Sequence, residues 1–316
     1  MATVYFILGC TACGKAAVGR TLARRVGGEI VSVDSMKVYR RMDIGTAKPT
    51  AAQQAEVRHH GIDVVEPSES FSAARYVACA ESALGSIARA GGVALAVGGT
   101  SLYIKALSEG LFEAPPGDAA VRSALRARAG EAGLAALHAD LAGVDPVAAG
   151  RIHPNDERRI VRALEVYRTT GRPISALQAQ WDSGSRRHAC LLIGLRRARE
   201  DQNGRINARA RRMVAAGLKD EVAALLAEPG GLSPQAAAAV GYAEMIAHLR
   251  GEMTEADALE RIKINTRRLA RKQRTWHRRW RDVRWFDVAP DEPAERVADR
   301  VEAAVRFVPA GADRER

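Results

Sequence analysis

The chain has 316 residues, 47% hydrophobic and 27% charged, and its 48 Lys and Arg against 37 Asp and Glu give a net charge of +11. That length suffices for one large domain or two modest ones with a full core, and the cationic excess points to a polyanionic partner. No apolar stretch approaches the roughly 20 residues that span a bilayer, and four cysteines make no disulfide framework, so a cytoplasmic protein without membrane contact is expected.

Residues 4–8, Val-Tyr-Phe-Ile-Leu, form a β-branched and aromatic run of strand length. Gly9, Cys10, Thr11, Ala12, Cys13, Gly14, Lys15 and Ala16 follow as a GxxxxGK phosphate loop, and a helix is expected from about Lys15 to Val26. The glycines let successive N–H groups turn inward as anion donors. The helix adds the positive end of its dipole, and Lys15 adds a point charge. The pattern calls for Ser or Thr after the lysine, because that hydroxyl ligates Mg²⁺; here it is Ala16, so the cradle is kept and no metal ligand is assigned. Cys10 and Cys13 form a C-x-x-C inside the loop, with Cys79 and Cys190 distant in sequence. Two readings stand: small loop-filling thiols, or a redox pair that pinches the loop.

Residues 29–33 read as a second buried strand ending at Asp34-Ser35, and residues 93–97 as a third running into Gly98-Gly99-Thr100. Ligands of open α/β sheets gather outside the carboxyl ends of strands, so the loop, Asp34 and Thr100 should converge on one crevice. Between these strands, residues 36–70 form a mixed segment marked by Gly45, Pro49, Gly61 and Pro67. His59, His60 and His153 read as local structure.

After Pro115-Pro116-Gly117 the texture becomes helical, with expected helices at 119–130, 132–142, 146–150 and 155–170. Asp156 is placed to cap the last, which carries Arg158, Arg159 and Arg162. A strand is expected at 191–195, then long amphipathic helices to about Trp280, a last strand at 285–288 and a helix at 292–306. The fold class is α/β: a P-loop NTPase-like parallel sheet core flanked by helices, with a small all-helical insertion. Its expected domains are 1–117 with 191–308 as core, 118–190 as insertion, and 309–316 as a disordered tail.

Between Arg261 and Arg284 the chain carries eleven Lys or Arg against one Asp. Arg267, Arg271, Arg274 and Arg278 fall on one helical stripe, and Leu269, Trp276 and Trp280 on another face that is expected to pack on the core. A solvated helix usually alternates its charge signs, so nucleic-acid phosphate is favoured over a basic surface without a partner.

The run Asp34-Ser35-Met36-Lys37-Val38-Tyr39-Arg40-Arg41-Met42-Asp43-Ile44-Gly45-Thr46-Ala47-Lys48-Pro49 closely resembles the signature of bacterial tRNA dimethylallyltransferases. Arg151-Ile152-His153-Pro154-Asn155-Asp156, Val97-Gly98-Gly99-Thr100-Ser101-Leu102-Tyr103 and the stretch from Arg267 to Trp276 are similar to further family motifs, in the same order, to about residue 308. The resemblance implies transfer of a dimethylallyl group from its diphosphate to N6 of the adenosine just 3′ of a tRNA anticodon. It also implies a loop that holds prenyl diphosphate rather than ATP, and Mg²⁺ as cofactor; a monomer is expected.

An exocyclic amine must lose a proton as it attacks, and Asp34 is placed to take it. The leaving diphosphate would be stabilised by loop amides, Lys15 and an arginine, for which the resemblance favours Arg209 over Arg205. Thr100 matches a family threonine near the reacting centre. The tRNA-binding set implied is Asp34, Ser35, Met36, Lys37, Thr100, Arg122, Arg158, Arg159, Arg162, Gly241, Tyr242, Arg271, Lys272, Arg274 and Arg278. Plainer readings stand beside these: Asp34 as a helix cap, Thr100 as a turn hydroxyl, and the arginines at 158–162 as a solvated face.

The chain departs from the family pattern at several positions. Cys10, Cys13 and Ala16 replace proline, serine and threonine of the usual loop, Lys37 and Arg41 stand where glutamine and glycine are usual, and Ala238 and Ala243 replace long polar or basic residues around Val240-Gly241-Tyr242. Two alternatives follow. One is a phosphate-loop small-molecule kinase using ATP, which gives no reason for the basic helix; the other is a tRNA-binding homologue whose catalysis has decayed.

Overall fold

A computed structural model of the chain describes residues 3–111, 117–178 and 186–309. In chain order the elements are β1 Val4–Gly9, α1 Lys15–Val26, β2 Gly28–Val33, α2 Ala51–Glu56, β3 His59–His60, α3 Ala73–Arg89, β4 Val93–Gly98 and α4 Ser101–Glu109. There follow α5 Ala119–Val144, α6 Pro146–Arg151, α7 Glu157–Thr170, α8 Ile174–Leu177 and β5 Cys190–Arg196. The chain continues through α9 Arg199–Ala215, α10 Leu218–Ala227, α11 Pro234–Ala237, α12 Tyr242–Leu249, α13 Glu255–His277, β6 Val283–Asp287 and α14 Ala294–Ala304. These residues divide into two compact units, Met1–Ser108 with Arg187–Arg316, and Glu109–Arg186. Pro115 and Pro116, residues 179–185 of the expected insertion and the expected tail from 310 to 316 lie outside the described residues.

The first unit is built on a six-stranded parallel sheet of order β3-β2-β4-β1-β5-β6. Its central strands β1 and β4 are buried along their whole length, as their unbroken apolar sequence requires of a strand covered on both faces. Ile7 lies opposite Val97 on one side and Ile193 on the other. Tyr5 and Ile7 of β1 share a core with Val18 and Leu22 of α1 and Val297 and Val301 of α14. Helix α3 packs against β2 and β4, and α13 against β1. The short β3 extends the β2 edge by pairing His59 and His60 with Ile30 and Val31. His60 Nε2 lies 2.6 Å from Glu29 Oε2, which gives it the local structural place expected of it.

Helix α13 corrects one expectation. Its buried residues are Ala258, Ile262, Lys263, Thr266, Ala270 and His277, mostly four apart. Leu269 is 39% exposed, and Trp276 is only half-buried beneath the Arg279 guanidinium, 4.9 Å from its ring centroid. The large apolar side chains misled because tryptophan buries well with one face in contact and the other wet, whereas small alanines bring the helix axis close to the sheet. Trp280 stacks on the buried His277, at 5.5 Å between centroids.

The second unit packs α5–α8 around Leu125, Leu137, Leu141, Ile160, Leu164 and Ile174. Gly133, at φ 83, breaks α5 into two helical pieces near the boundary that the sequence predicts. Asp156 caps α7 through the Arg159 amide. The buried Asp145 caps α6 at the Ala148 amide and also accepts from the Ser175 amide and hydroxyl. No helix among the described residues is long and apolar enough to cross a membrane.

Candidate active site at the phosphate loop

The loop between β1 and α1 needs two left-handed residues: Gly14, at φ 101, which caps α1, and Ala12, at φ 65, where a side chain is normally disfavoured. Neighbouring side chains strap it in that shape. The Thr11 amide donates to Gln273 Oε1 at 2.8 Å, and Gln273 Nε2 donates in turn to the Gly99 carbonyl at 2.9 Å. Gly99 must be glycine for this, since a Cβ there would stand 2.6 Å from Gln273 Nε2. Gln202 Nε2 donates to the Thr11 carbonyl at 2.8 Å, and Gln202 Oε1 accepts from Arg274 Nη2 at 2.8 Å. Arg205 Nε donates to the Ala12 carbonyl, Arg197 Nε to the Cys13 carbonyl and Arg209 Nη2 to Thr11 Oγ1, at 3.1, 3.0 and 2.6 Å. Lys15 Nζ rests 3.3 Å from the Cys10 carbonyl. Cys10 and Cys13 are buried free thiols, and burial with Cys13 nearby pushes the Cys10 thiol up, away from the reactive thiolate.

Asp34 leaves the end of β2 with Oδ1 accepting from the Met36 amide at 2.9 Å and the Lys37 amide at 3.4 Å. Its Oδ2 makes no hydrogen bond among the described residues. Thr100 Oγ1 accepts from the Ser35 amide at 3.1 Å, tying the carboxyl end of β4 to that of β2. A cavity of about 650 Å³ opens there, lined by Lys15, Ala16, Asp34, Met36, Lys37 and Arg209 among others, with Met213, Val240, Ile262 and Leu269 giving it an apolar wall. Burial lowers the pKa of Lys37, opposed by Asp34, and likewise lowers that of Arg209. His277, in the core behind Lys15, is pulled down to about 4 by burial with the Lys15 charge adding, so it stands neutral.

The loop brings a metal ion no free hydroxyl, and of the carboxylates on the cavity wall Asp34 and Asp291 keep unengaged oxygens among the described residues. Ala16 is exposed on the cavity wall and brings no oxygen. Thr11 Oγ1 already accepts from Arg209, and Asp201 is paired with Arg197 at 2.8 Å. Among the described residues, no group of three or more His, Cys, Asp or Glu side chains can hold a metal.

The other site residues expected from sequence fall in several places. Arg271, Lys272 and Arg278 are exposed, whereas Arg274 turns inward to Gln202. Tyr242 is fully buried, with its hydroxyl donating to Glu221 Oε1 at 2.6 Å, so its side chain presents no outer surface. Glu221 also accepts from the amides of Asp43, Ile44 and Gly45, clamping that turn. Gly241 is buried, its amide donating to Glu244. In the helical unit Arg158 and Arg159 are exposed, while Arg122 and Arg162 pair with the buried Glu165 at 2.9 and 2.7 Å.

Gln202, Gln273, Arg197 and Glu221 are missed by sequence reasoning. The available signal is helical spacing: Gln202, Arg205 and Arg209 recur on one face of α9, and Thr266, Ala270, Gln273 and His277 on one face of α13.

The sequence pattern of the IPP transferase family matches residues 37–280. A tRNA dimethylallyltransferase of Anaeromyxobacter dehalogenans is 47% identical over 296 residues, 94% of this chain and 98% of that one. One from Geobacillus kaustophilus is 41% identical over 96% of each chain. The crystal structure of a full-length tRNA isopentenylpyrophosphate transferase from Bacillus halodurans superposes with a TM-score of 0.70 at 37% identity, over 96% of each chain. A eukaryotic dimethylallyltransferase, captured acting on tRNA, shares the fold with a TM-score of 0.78 at 23% identity, over 98% of this chain and 81% of that one. With a phosphate loop, a carboxylate and a basic helix joined at one cavity, and with relatives alike over nearly their full length, the chain belongs to the IPP transferase family.

Proposed function

We propose that the chain transfers a dimethylallyl group from dimethylallyl diphosphate to N6 of the adenosine next to the anticodon, on its 3′ side, in tRNA. The observation that carries this reading is the single cavity in which Lys15, Arg209 and Asp34 meet an apolar wall. The cations and loop amides suit a diphosphate, and Met213, Val240 and Leu269 suit a small branched hydrocarbon. The Asp34 carboxylate suits the proton that N6 must shed.

In the reaction, N6 attacks the allylic carbon, the C–O bond breaks, and its electron pair leaves on the diphosphate. The proton on N6 passes to Asp34 Oδ2, the oxygen not engaged by the turn amides. Lys15, Arg209 and the loop amides take up the charge that gathers on the leaving group, in a pocket whose low dielectric strengthens each contact. The target base must leave its stack to enter. Arg271, Lys272 and Arg278 on α13, with Arg158 and Arg159, are offered to the RNA backbone. Mg²⁺ belongs to this reading as a companion of the diphosphate, whose charge it would help to neutralise, and no step is assigned to it. The place of action is the cytoplasm.

The test incubates the purified chain with radiolabelled dimethylallyl diphosphate, Mg²⁺ and unmodified tRNA carrying adenosine at that position. Label mapping to N6 of that adenosine is expected. Binding of tRNA with no label in it would overturn transfer and leave a tRNA-binding protein whose catalysis has decayed, for which Ala16 gives the physical reason. Hydrolysis of ATP in place of transfer would favour a kinase.

A further inference from the structure

Lys37 lies three residues past Asp34 and lines the same cavity. Its ammonium makes no hydrogen bond and no ion pair among the described residues, although it is half-buried. Of the neighbouring cations, Lys15 rests on the Cys10 carbonyl, Arg205 on the Ala12 carbonyl, Arg209 on Thr11 Oγ1 and Arg197 on Asp201, while the side chains of Arg212 on the cavity wall and of Arg20 make no hydrogen bond or ion pair among the described residues. The charges that act on Lys37 are Lys15, Arg209 and Arg20 against Asp34 alone. A half-buried ammonium in a cationic setting is costly until an anion arrives. The same cavity lacks the hydroxyl at residue 16 that would help to hold a metal beside the phosphates.

We propose that Lys37 is a diphosphate-binding cation that supplies, from the chain itself, charge neutralisation that a loop-held Mg²⁺ would otherwise provide. Lys15 then meets the diphosphate from the loop and Lys37 from the end of β2. The bound diphosphate, in turn, stabilises the protonated amine against the burial that lowers its pKa. The result is a site whose affinity for diphosphate depends only weakly on metal. This inference rests on the reading of the cavity as a diphosphate site.

The test is calorimetric titration of the full chain with inorganic pyrophosphate, without tRNA, in EDTA and again in Mg²⁺. In EDTA, Lys37→Gln should weaken binding by about tenfold to a hundredfold, the worth of one charge-assisted hydrogen bond. Lys37→Arg should retain most of the affinity, and Mg²⁺ should narrow the gap between wild type and Lys37→Gln. Equal binding by wild type and Lys37→Gln in EDTA overturns the proposal, as does a gap that Mg²⁺ leaves unchanged. Should Lys37→Gln fail to fold, the wild type decides alone: an affinity in EDTA within about tenfold of that in Mg²⁺ supports the proposal, and a larger loss overturns it. If wild type binds no pyrophosphate in either buffer, the diphosphate reading of the cavity fails first and takes the inference with it.

Discussion

Glu165 in the helical unit and Asp34 at the phosphate loop each stand as a carboxylate among several cations, yet the two places are organised in opposite senses. Glu165 is fully buried and is saturated by Arg122, Arg162 and the Asp118 amide, at 2.9, 2.7 and 2.7 Å. Its arginines are thereby spent on the scaffold. Asp34 accepts only turn amides, and Lys15, Lys37 and Arg209 around it make no ion pair with it. Where the carboxylate is paired directly with its cations, the cluster is structural. Where it is not, the excess positive charge is kept for an anion that the chain does not itself provide.

The largest way to break this contrast is Asp34→Asn. Removing the base while keeping the shape should slow the chemical step by at least about a hundredfold in single-turnover assays, with tRNA affinity nearly unchanged in filter binding. An equal fall in both would remove Asp34 from the role of base. Next comes Glu165→Gln, which should cost the helical unit about 1.5–3 kcal/mol of stability, read by urea unfolding, because the charge that holds two arginines is gone.

Glu165 also carries a pH signature. Burial alone would raise its pKa, but Arg162, the Asp118 amide and Arg122 outweigh it and hold the carboxyl below its ordinary 4.5. A carboxyl with a depressed folded pKa binds fewer protons folded than unfolded, so its contribution is present above pH 4.5 and is lost as pH falls through the folded value. Glu165→Gln should flatten that acid limb in a series of melting curves; an unchanged limb would locate the acid sensitivity elsewhere.

A smaller effect is expected of Gln273→Ala, which frees the Thr11 amide and the Gly99 carbonyl together. The loss of a bridging strap should weaken pyrophosphate binding by roughly tenfold, and retention of full affinity would mean that the loop holds its own shape. The smallest is Ala16→Thr. It restores a hydroxyl to the exposed start of α1 and should raise activity several-fold at most, roughly a hydrogen bond's worth, with a steeper response to Mg²⁺. No gain across a Mg²⁺ titration would show that the cationic wall has made the hydroxyl redundant.

The central sheet was legible because β1, β4 and β5 are apolar runs, and a strand covered on both faces has no other way to be written. The loop and α1 were legible because Gly14 and Lys15 punctuate them. The two-residue β3 and the six-residue α2 carry too few residues for any period to show. In α13 size does not mark burial, because Ala258, Ile262, Thr266 and Ala270 hold the inner face. At the site, Asp34 and Lys15 announced themselves as charged residues at strand and loop ends. Gln202 and Gln273 did not, because a neutral amide on a helix looks like surface until the carbonyl and amide that it bridges are brought to it by the sheet.

On the last turns of α13, Arg271 and Lys272 look outward while Gln273 and Arg274 look in, toward the loop and its neighbour Gln202. A helix held by its own backbone hydrogen bonds turns as a rigid rod over so short a span. A long polyanion that rotates the outer pair must therefore also move the inner pair, and with it the Thr11 amide in the small-molecule pocket. One helix thus joins an outward basic face to the strap on the Thr11 amide, so that a load taken up by the first is carried to the second.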